Sequence, residues 1–192
     1  MLDVILGSSW IARFLLVGLI SCMYAGAVSI NNQLLFPWAE YGQFHYWLFL
    51  PAGLKLLFLM LFGWRGVIGV AIAITAIALN ELKDINIINA FIIGGVSSLI
   101  SFFALTGASR MVKVGFPWSD LRWYHLGFIV VVVSLLDSMA IHLTLAFVAI
   151  DSVVGTTQDI LISSFARSLG TFAFLTGLML LWKRLQNIPS DR

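Results

Sequence analysis

Four titratable side chains, Lys55, Asp137, His142 and Arg167, lie inside apolar segments of the sequence. A charged group in the hydrocarbon core of a bilayer costs on the order of 2.5 kcal/mol or more, so such groups face protein or water and pair with one another. At a rise of about 1.5 Å per residue, all four lie in the middle or the same half of their segments. We predict that Asp137 pairs with Lys55 or Arg167, which leaves one positive charge in need of a counter-ion.

The segment around Asp137 has the most specific pattern. Ser134, Asp137, Ser138 and His142 follow one another at i, i+3, i+4 and i+8, which places them on one stripe of a helix whose other faces are apolar. A polar stripe inside a membrane must face protein or water. We therefore predict a buried polar centre made of these four residues and the two cations.

This centre has two interpretations. In the first, the ionic cluster satisfies itself and fixes the register of the helices, and a buried ion pair alone indicates no more than that. In the second, the remaining positive charge and His142, which changes protonation near neutral pH, form a site for an anionic or zwitterionic ligand or a proton relay. Pro51 and Gly53, close before Lys55, favour the second, because a proline inside a span frees a backbone carbonyl and predicts a locally unwound hinge.

Patterns typical of catalysis are missing from the sequence. It contains no phosphate-binding glycine loop, zinc-protease helix, nucleophile elbow or pair of carboxylates at hydrolase spacing. The single cysteine, Cys22, and three scattered histidines predict no metal site. We predict a protein that binds and does not catalyse, without a cofactor.

The composition places these residues in a membrane protein. Of the 192 residues, 60% are hydrophobic and 10% are charged, and the mean hydropathy is +1.00. We predict an all-α polytopic fold of six transmembrane helices in one domain, with no soluble domain. The predicted spans are about 10–30, 45–63, 66–80, 86–107, 125–150 and 158–182.

The distribution of basic residues predicts the orientation of these spans. With the N-terminus in the cytoplasm, only Lys83 lies in an outer loop. The inner side then holds Arg13, Arg65, Arg110, Lys113, Arg122, Lys183, Arg184 and Arg192. This asymmetry is typical of the positive-inside rule, so both termini are predicted to be cytoplasmic, in a bacterial inner membrane. The partners of these basic residues are then anionic lipids and not nucleic acid.

Two stripes of small residues predict close helix packing. They are Gly18, Cys22 and Gly26 in the first segment, and Ala90, Gly94 and Ser98 in the fourth. Small residues every four positions allow the backbones of two membrane helices to approach closely.

The sequence also contains one short repeated motif, FPWAE at residues 36–40 and FPWSD at residues 116–120. Three predicted helices separate the two, which puts them on opposite sides of the membrane. An inverted repeat of three plus three helices produces this relation. The alternative is that proline and aromatic residues simply favour turns at a membrane interface.

The segment WLFLPAGLKLLFLMLFGWRGVIGVAIA resembles the signature region of the MASE1 family of bacterial membrane sensory modules, over about residues 10–110. The match is carried by Trp47, Pro51, Gly53, Gly63, Arg65, Gly66 and Gly69. The resemblance implies a sensor of a small ligand or of the membrane state, working in signal transduction. Such modules act on a histidine kinase or a cyclic-dinucleotide enzyme, which we expect here to be a separate partner protein.

Two other functions fit the size and the predicted topology. The chain is similar to the substrate-binding subunit of energy-coupling-factor transporters, which implies small-solute transport with transporter subunits as partners. It also fits an accessory subunit of a larger membrane protein complex. Our first prediction remains a sensory or ligand-binding module.

Overall fold

The structure, a computed structural model, describes residues 10–35, 40–42, 45–46, 48–82, 85–114, 121–148 and 157–186. Six α-helices dominate these residues. They are α1 (Trp10–Ile30), α2 (Pro51–Phe62), α3 (Trp64–Glu81), α4 (Ile87–Met111), α5 (Trp123–Phe147) and α6 (Thr157–Gln186). A π-helical turn, Asn31–Leu35, extends α1, and two short antiparallel strands, β1 (Glu40–Gly42) and β2 (His45–Tyr46), precede α2.

The predicted all-α membrane fold of about six helices is confirmed. Five stretches are long and apolar enough to cross a membrane, and α2 is a shorter apolar helix. The five are Trp10–Leu35, Trp64–Glu81, Ile87–Met111, Trp123–Phe147 and Thr157–Leu181. Large apolar side chains remain exposed around the bundle, as expected of a surface that faces lipid acyl chains. The orientation of the termini stays a prediction.

The predicted second span is wrong in its extent. Residues 45–63 were expected to form one membrane helix, but α2 begins only at Pro51 and has 12 residues. Twelve residues rise about 18 Å, which is less than the roughly 30 Å of a hydrocarbon core. Proline is favoured at the first position of a helix because its missing N–H has no intrahelical partner there. Pro51 therefore starts a helix, and the predicted proline-unwound hinge inside a span is not formed.

Helices α2 and α3 are joined by the single residue Gly63, whose φ of 53° lies in the region that favours glycine. Beyond the turn the helices touch closely, since a Cβ at Gly66 would lie 2.5 Å from the carbonyl oxygen of Phe58. Further along α3, a Cβ at Gly94 of α4 would lie 2.5 Å from the carbonyl oxygen of Ala71. Helix α4 thus packs directly on the backbone of α3.

Of the two predicted small-residue stripes, the one in α4 lies at a helix interface within the part of the chain that the structure describes. Ala90, Gly94 and Ser98 are buried. In α1, by contrast, Cys22 and Gly18 are exposed, and neither Gly18 nor Gly26 has a neighbouring atom that an added Cβ would meet. Close packing of another helix on this first stripe is not seen among the described residues and stays a prediction.

The buried face of α1 is instead formed by Ile20, Ser21, Tyr24 and Val28. The Ser21 hydroxyl lies 2.8 Å from the carbonyl oxygen of Gly69 in α3, and a Cβ at Gly69 would meet Ile20. Spacing alone does not show which side of a helix faces its neighbours. In α1 the contact with α3 is made by the residues beside the small stripe, and the close approach of the two helices depends on Gly69 of α3.

We expect Ser21→Ala to lower the free energy of unfolding by about 1 kcal/mol, because the buried Gly69 carbonyl loses its side-chain donor. The neighbouring Cys22→Ala is the matched control and should change stability by less than about 0.5 kcal/mol, because Cys22 is exposed. Titration of the purified protein from mild detergent into dodecyl sulfate measures both values. Equal losses for the two variants would contradict the α1–α3 contact.

The repeated motif FPWAE and FPWSD cannot be placed, because residues 36–39 and 116–120 lie outside the described residues. Trp47, Lys83 and the residues after position 186 lie outside them too.

Candidate functional site

The buried polar centre is a three-residue ionic cluster in which one carboxylate bridges two cations. The Lys55 Nζ lies 2.8 Å from Asp137 Oδ1, and the Arg167 Nη1 lies 2.6 Å from Asp137 Oδ2. The Lys55 and Asp137 side chains are 4% and 5% exposed, and that of Arg167 is 13% exposed. Helices α2, α5 and α6 each supply one member, so the cluster ties three separate segments together.

Helix α4 completes the cluster through Ser97. Its hydroxyl accepts a hydrogen bond from Lys55 Nζ at 2.8 Å and donates one to Asp137 Oδ1 at 2.8 Å. The Lys55 ammonium also donates to the Ser97 carbonyl oxygen at 3.3 Å. An ammonium has three donors, and here all three have acceptors. Lys55 is thus fully compensated inside the bundle and does not reach a lipid headgroup.

The Arg167 guanidinium has hydrogen-bond partners for two of its three nitrogens, Nη1 and Nε. Its Nε donates to the Ser163 hydroxyl at 3.3 Å, and the Ser138 hydroxyl lies 3.4 Å from that same oxygen. The guanidinium also lies over the ring of Phe49, with 5.3 Å between its Cζ and the ring centroid. Its second terminal nitrogen, Nη2, has no hydrogen-bond partner among the described residues.

The charges in the cluster do not cancel. Two cations surround one carboxylate, so the cluster carries a net charge of +1 when all three groups are ionised. Charge buried without a counter-ion is costly, and this cost is lowest where the charged group borders a polar or hydrated space. Arg167 is the most exposed of the three groups, with 13% of its side chain accessible.

The start of α2 is positioned against α6 by backbone contacts. The Phe49 N–H donates to the Ala166 carbonyl oxygen at 3.4 Å, and the Leu50 N–H donates to Asn31 Oδ1 at 3.2 Å. Gly170 allows this approach, since a Cβ there would collide with the Phe49 carbonyl group. These contacts satisfy backbone groups of the partly buried, non-helical residues just before α2. They also hold the Phe49 ring against the Arg167 guanidinium.

A cavity of about 110 Å³ lies next to Arg167. Five helices, α1 and α3 to α6, contribute to its walls. It lies near the end of the bundle where α1, α3 and α5 end and where α4 and α6 begin. Most of the lining is apolar: Val28, Phe49, Ile74, Ile77, Ala78, Leu82, Ile93, Ile141, Leu145 and Ala166. The polar lining residues are Tyr24, Asn32, Glu81, His142, Ser163 and Arg167. An apolar pocket with a few polar groups is the usual form of a small-molecule site.

A second cavity, of about 10 Å³, borders the cluster as well. Lys55, Ser134, Asp137 and Thr171 are among its lining residues, and Arg167 lines both cavities. Ser134 therefore faces the smaller space and is not hydrogen-bonded to the ions. The Arg167–Asp137 ion pair lies where the two spaces approach each other.

The structure brings Lys55, Asp137 and Arg167 into direct contact, and Ser138 is linked to Arg167 through the Ser163 hydroxyl. His142 is buried and lines the larger cavity, about 7.5 Å along the axis of α5 from Asp137.

Sequence reasoning missed Ser97, Tyr24, Phe49 and Asn31 as parts of the site. A serine in the middle of a long apolar helix was a weak signal for Ser97, while Tyr24 and Phe49 are indistinguishable by type from ordinary membrane aromatics.

Comparisons with models of known protein families, with curated proteins and with solved structures find no match. The resemblance to the MASE1 family remains a prediction from the residues that carry it. The fold and the geometry of the cluster and cavity are the basis for a functional proposal.

Proposed function

We propose that this chain is a membrane-embedded sensory or ligand-binding module that binds a small molecule in the cavity beside Arg167 and acts through a partner protein. The observation that carries the proposal is the position of Arg167. One of its terminal nitrogens is paired with Asp137, while the side chain lines a mostly apolar cavity.

A purely structural role accounts less well for this arrangement. An ionic cluster that only fixes helix register gains nothing from an excess of charge or from an open space beside it, because an uncompensated buried charge is costly. Here a second cation is present, and the group at the edge of the cluster borders a space large enough for several water-sized groups. A positively charged cluster beside a cavity attracts an anionic or zwitterionic ligand.

The proposed setting follows from the distribution of basic residues. We infer that both termini face the cytoplasm of a bacterial inner membrane, as the positive-inside rule predicts. The cavity then lies in the outer half of the bundle, where it can sample ligands from outside the cell. The proposed partners are those that the MASE1 resemblance implies, a histidine kinase or a cyclic-dinucleotide enzyme.

The start of α2 favours a second candidate, a small-solute transporter or its substrate-binding subunit. Transporter sites are often built where a short or interrupted helix begins inside the bundle. Helix α2 has 12 residues, and Lys55 lies in its second turn. Uptake of a bound solute into proteoliposomes containing the chain and its transporter partners separates this function from sensing.

Native mass spectrometry of the gently purified protein tests the proposal. We expect a bound small molecule that is retained in mild detergent and lost when Arg167 is replaced by Gln. The variant keeps the Lys55–Asp137 pair, so the fold should survive. A wild-type protein that carries only lipids also carried by Arg167→Gln would contradict a site in this cavity.

Lys55→Met tests the role of the additional positive charge. The Arg167–Asp137 pair remains, so we expect a folded protein, but the ionic cluster changes from a net charge of +1 to neutral. The Kd of an anionic ligand should rise by about tenfold or more, equivalent to about 1.4 kcal/mol of binding free energy, and the occupancy below saturation should fall by the same factor. Native mass spectrometry at fixed protein concentration measures this occupancy. The exposed Lys113→Met is the control, and equal occupancy in both variants would make Lys55 purely structural.

A further inference from the structure

We propose that the ligand is a small monocarboxylate with an apolar body, and that its carboxylate accepts hydrogen bonds from the Tyr24 hydroxyl and from Nη2 of Arg167. This inference rests on the proposed function, because it names the chemical class of the molecule in the same cavity. The first observation behind it is that the Tyr24 hydroxyl, in the wall of the cavity, has no hydrogen-bond partner among the described residues.

Tyr24 is buried, with 2% of its surface exposed, and it lines the cavity. Its hydroxyl has no hydrogen-bond partner among the described residues. A tyrosine whose ring is buried normally has a partner for its hydroxyl. The Tyr24 hydroxyl is not among the fully buried unpaired atoms, so it opens into the cavity. A donor held in the wall of a cavity without an acceptor is complementary to a ligand that supplies one.

The second donor is the guanidinium of Arg167. Nη1 is engaged by Asp137 and Nε by Ser163, which leaves Nη2 for a ligand. Phe49 covers one face of the guanidinium, so an acceptor approaches in the plane of the group. Planar carboxylates match this geometry, and hydrogen bonds between charged groups are about twice as strong as neutral ones.

The charge and the walls of the cavity restrict the rest of the ligand. The three-residue cluster has a net charge of +1, which one negative charge on the ligand would neutralise. Glu81 lines the same cavity, and a second carboxylate on the ligand would meet a like charge. Between Glu81 and Arg167 the walls are aliphatic, with Ile74, Ile77 and Ile141 among them, and they favour a hydrocarbon chain or ring over a polar body.

Binding of defined probes to the purified chain in nanodiscs tests the inference. The probes are hexanoate, its neutral counterpart hexanamide, hexylamine and the dicarboxylate adipate, and isothermal titration calorimetry gives each Kd. We expect hexanoate to bind at least tenfold more tightly than each of the other three.

Tyr24→Phe removes only the hydroxyl, so we expect the Kd for hexanoate to rise about tenfold. The melting temperature without ligand should be unchanged or slightly raised, because the hydroxyl has no partner in the described part of the chain. Tyr124→Phe, at an exposed tyrosine at the start of α5, is the matched control and should bind hexanoate like the wild type.

The outcomes separate this inference from the proposed function. Equal or tighter binding of hexanamide or hexylamine would overturn the carboxylate and leave a ligand site in place. Binding of hexanoate that is unaffected by Tyr24→Phe would overturn the assignment of the hydroxyl. Failure of all four probes would overturn the inference, while a bound molecule of another class in native mass spectrometry would still support the proposed function.

Discussion

Replacing Asp137 by Asn is expected to lower the free energy of unfolding by about 3–5 kcal/mol, the largest effect of any single substitution in the ionic cluster. Asn has nearly the same shape, so packing changes little, but it keeps only one of the two acceptor oxygens and has an NH₂ donor in place of the other. It removes the only carboxylate between Lys55 and Arg167, and two buried cations then face each other without a counter-ion. Breaking a buried ion pair from one side costs this much because an uncompensated charge remains in a medium of low polarity.

The loss is measured by titration from mild detergent into dodecyl sulfate, followed by circular dichroism. Asp159→Asn in the first turn of α6 is the control: Asp159 is only partly buried, so its effect should stay below about 1 kcal/mol, the usual limit for a helix-dipole interaction or an ion pair near the surface. Adding Lys55→Met to Asp137→Asn should restore part of the stability, because one of the two unpaired cations is removed. A double variant no more stable than Asp137→Asn would show that the three charges do not form one cluster.

The contact among these three charges could be predicted from the sequence because the physical constraint is strong. A charge inside an apolar segment must find a partner, and Asp137 is the only acidic residue within the predicted spans apart from Asp159 near the start of the sixth. The helical rise then fixes the depth of each charge closely enough to bring them together. What depth does not fix is the side from which each helix approaches. For that reason Ser97, which bonds both Lys55 and Asp137, was not identified as part of the site.

The start of α2 could not be predicted from hydropathy. Residues 45–63 are apolar enough to read as one span, and nothing in their mean hydropathy distinguishes helix from irregular chain. The decisive contacts come from distant residues: Asn31 accepts from Leu50, and Ala166 accepts from Phe49. Proline could have indicated the start, because it is favoured at the first position of a helix. The interpretation of Pro51 as a break within a span gave it the wrong role.

Gly170→Ala is expected to lower the free energy of unfolding by about 1–3 kcal/mol and to weaken ligand binding at the same time. The added methyl group would collide with the carbonyl group of Phe49, which is backbone and cannot rotate away. Overpacking of a close contact costs this amount when the neighbours must shift. A shift here would strain the hydrogen bond from Phe49 to Ala166 and move the Phe49 ring from the Arg167 guanidinium.

Gly177→Ala, two turns further along α6, is the matched control because nothing lies within 4 Å of an added Cβ there. Alanine is the better helix former, so this variant should be as stable as the wild type or more stable by up to about 1 kcal/mol. Both variants change the helix propensity by the same amount, so the difference between them in unfolding free energy and in ligand occupancy reports the contact of Gly170 alone. If Gly170→Ala behaved like Gly177→Ala in both measurements, the segment before α2 would not rest on α6, and Phe49 would have no fixed place beside Arg167. If it lost stability but kept full occupancy, the contact would support the fold alone and the cavity would not depend on where α2 begins.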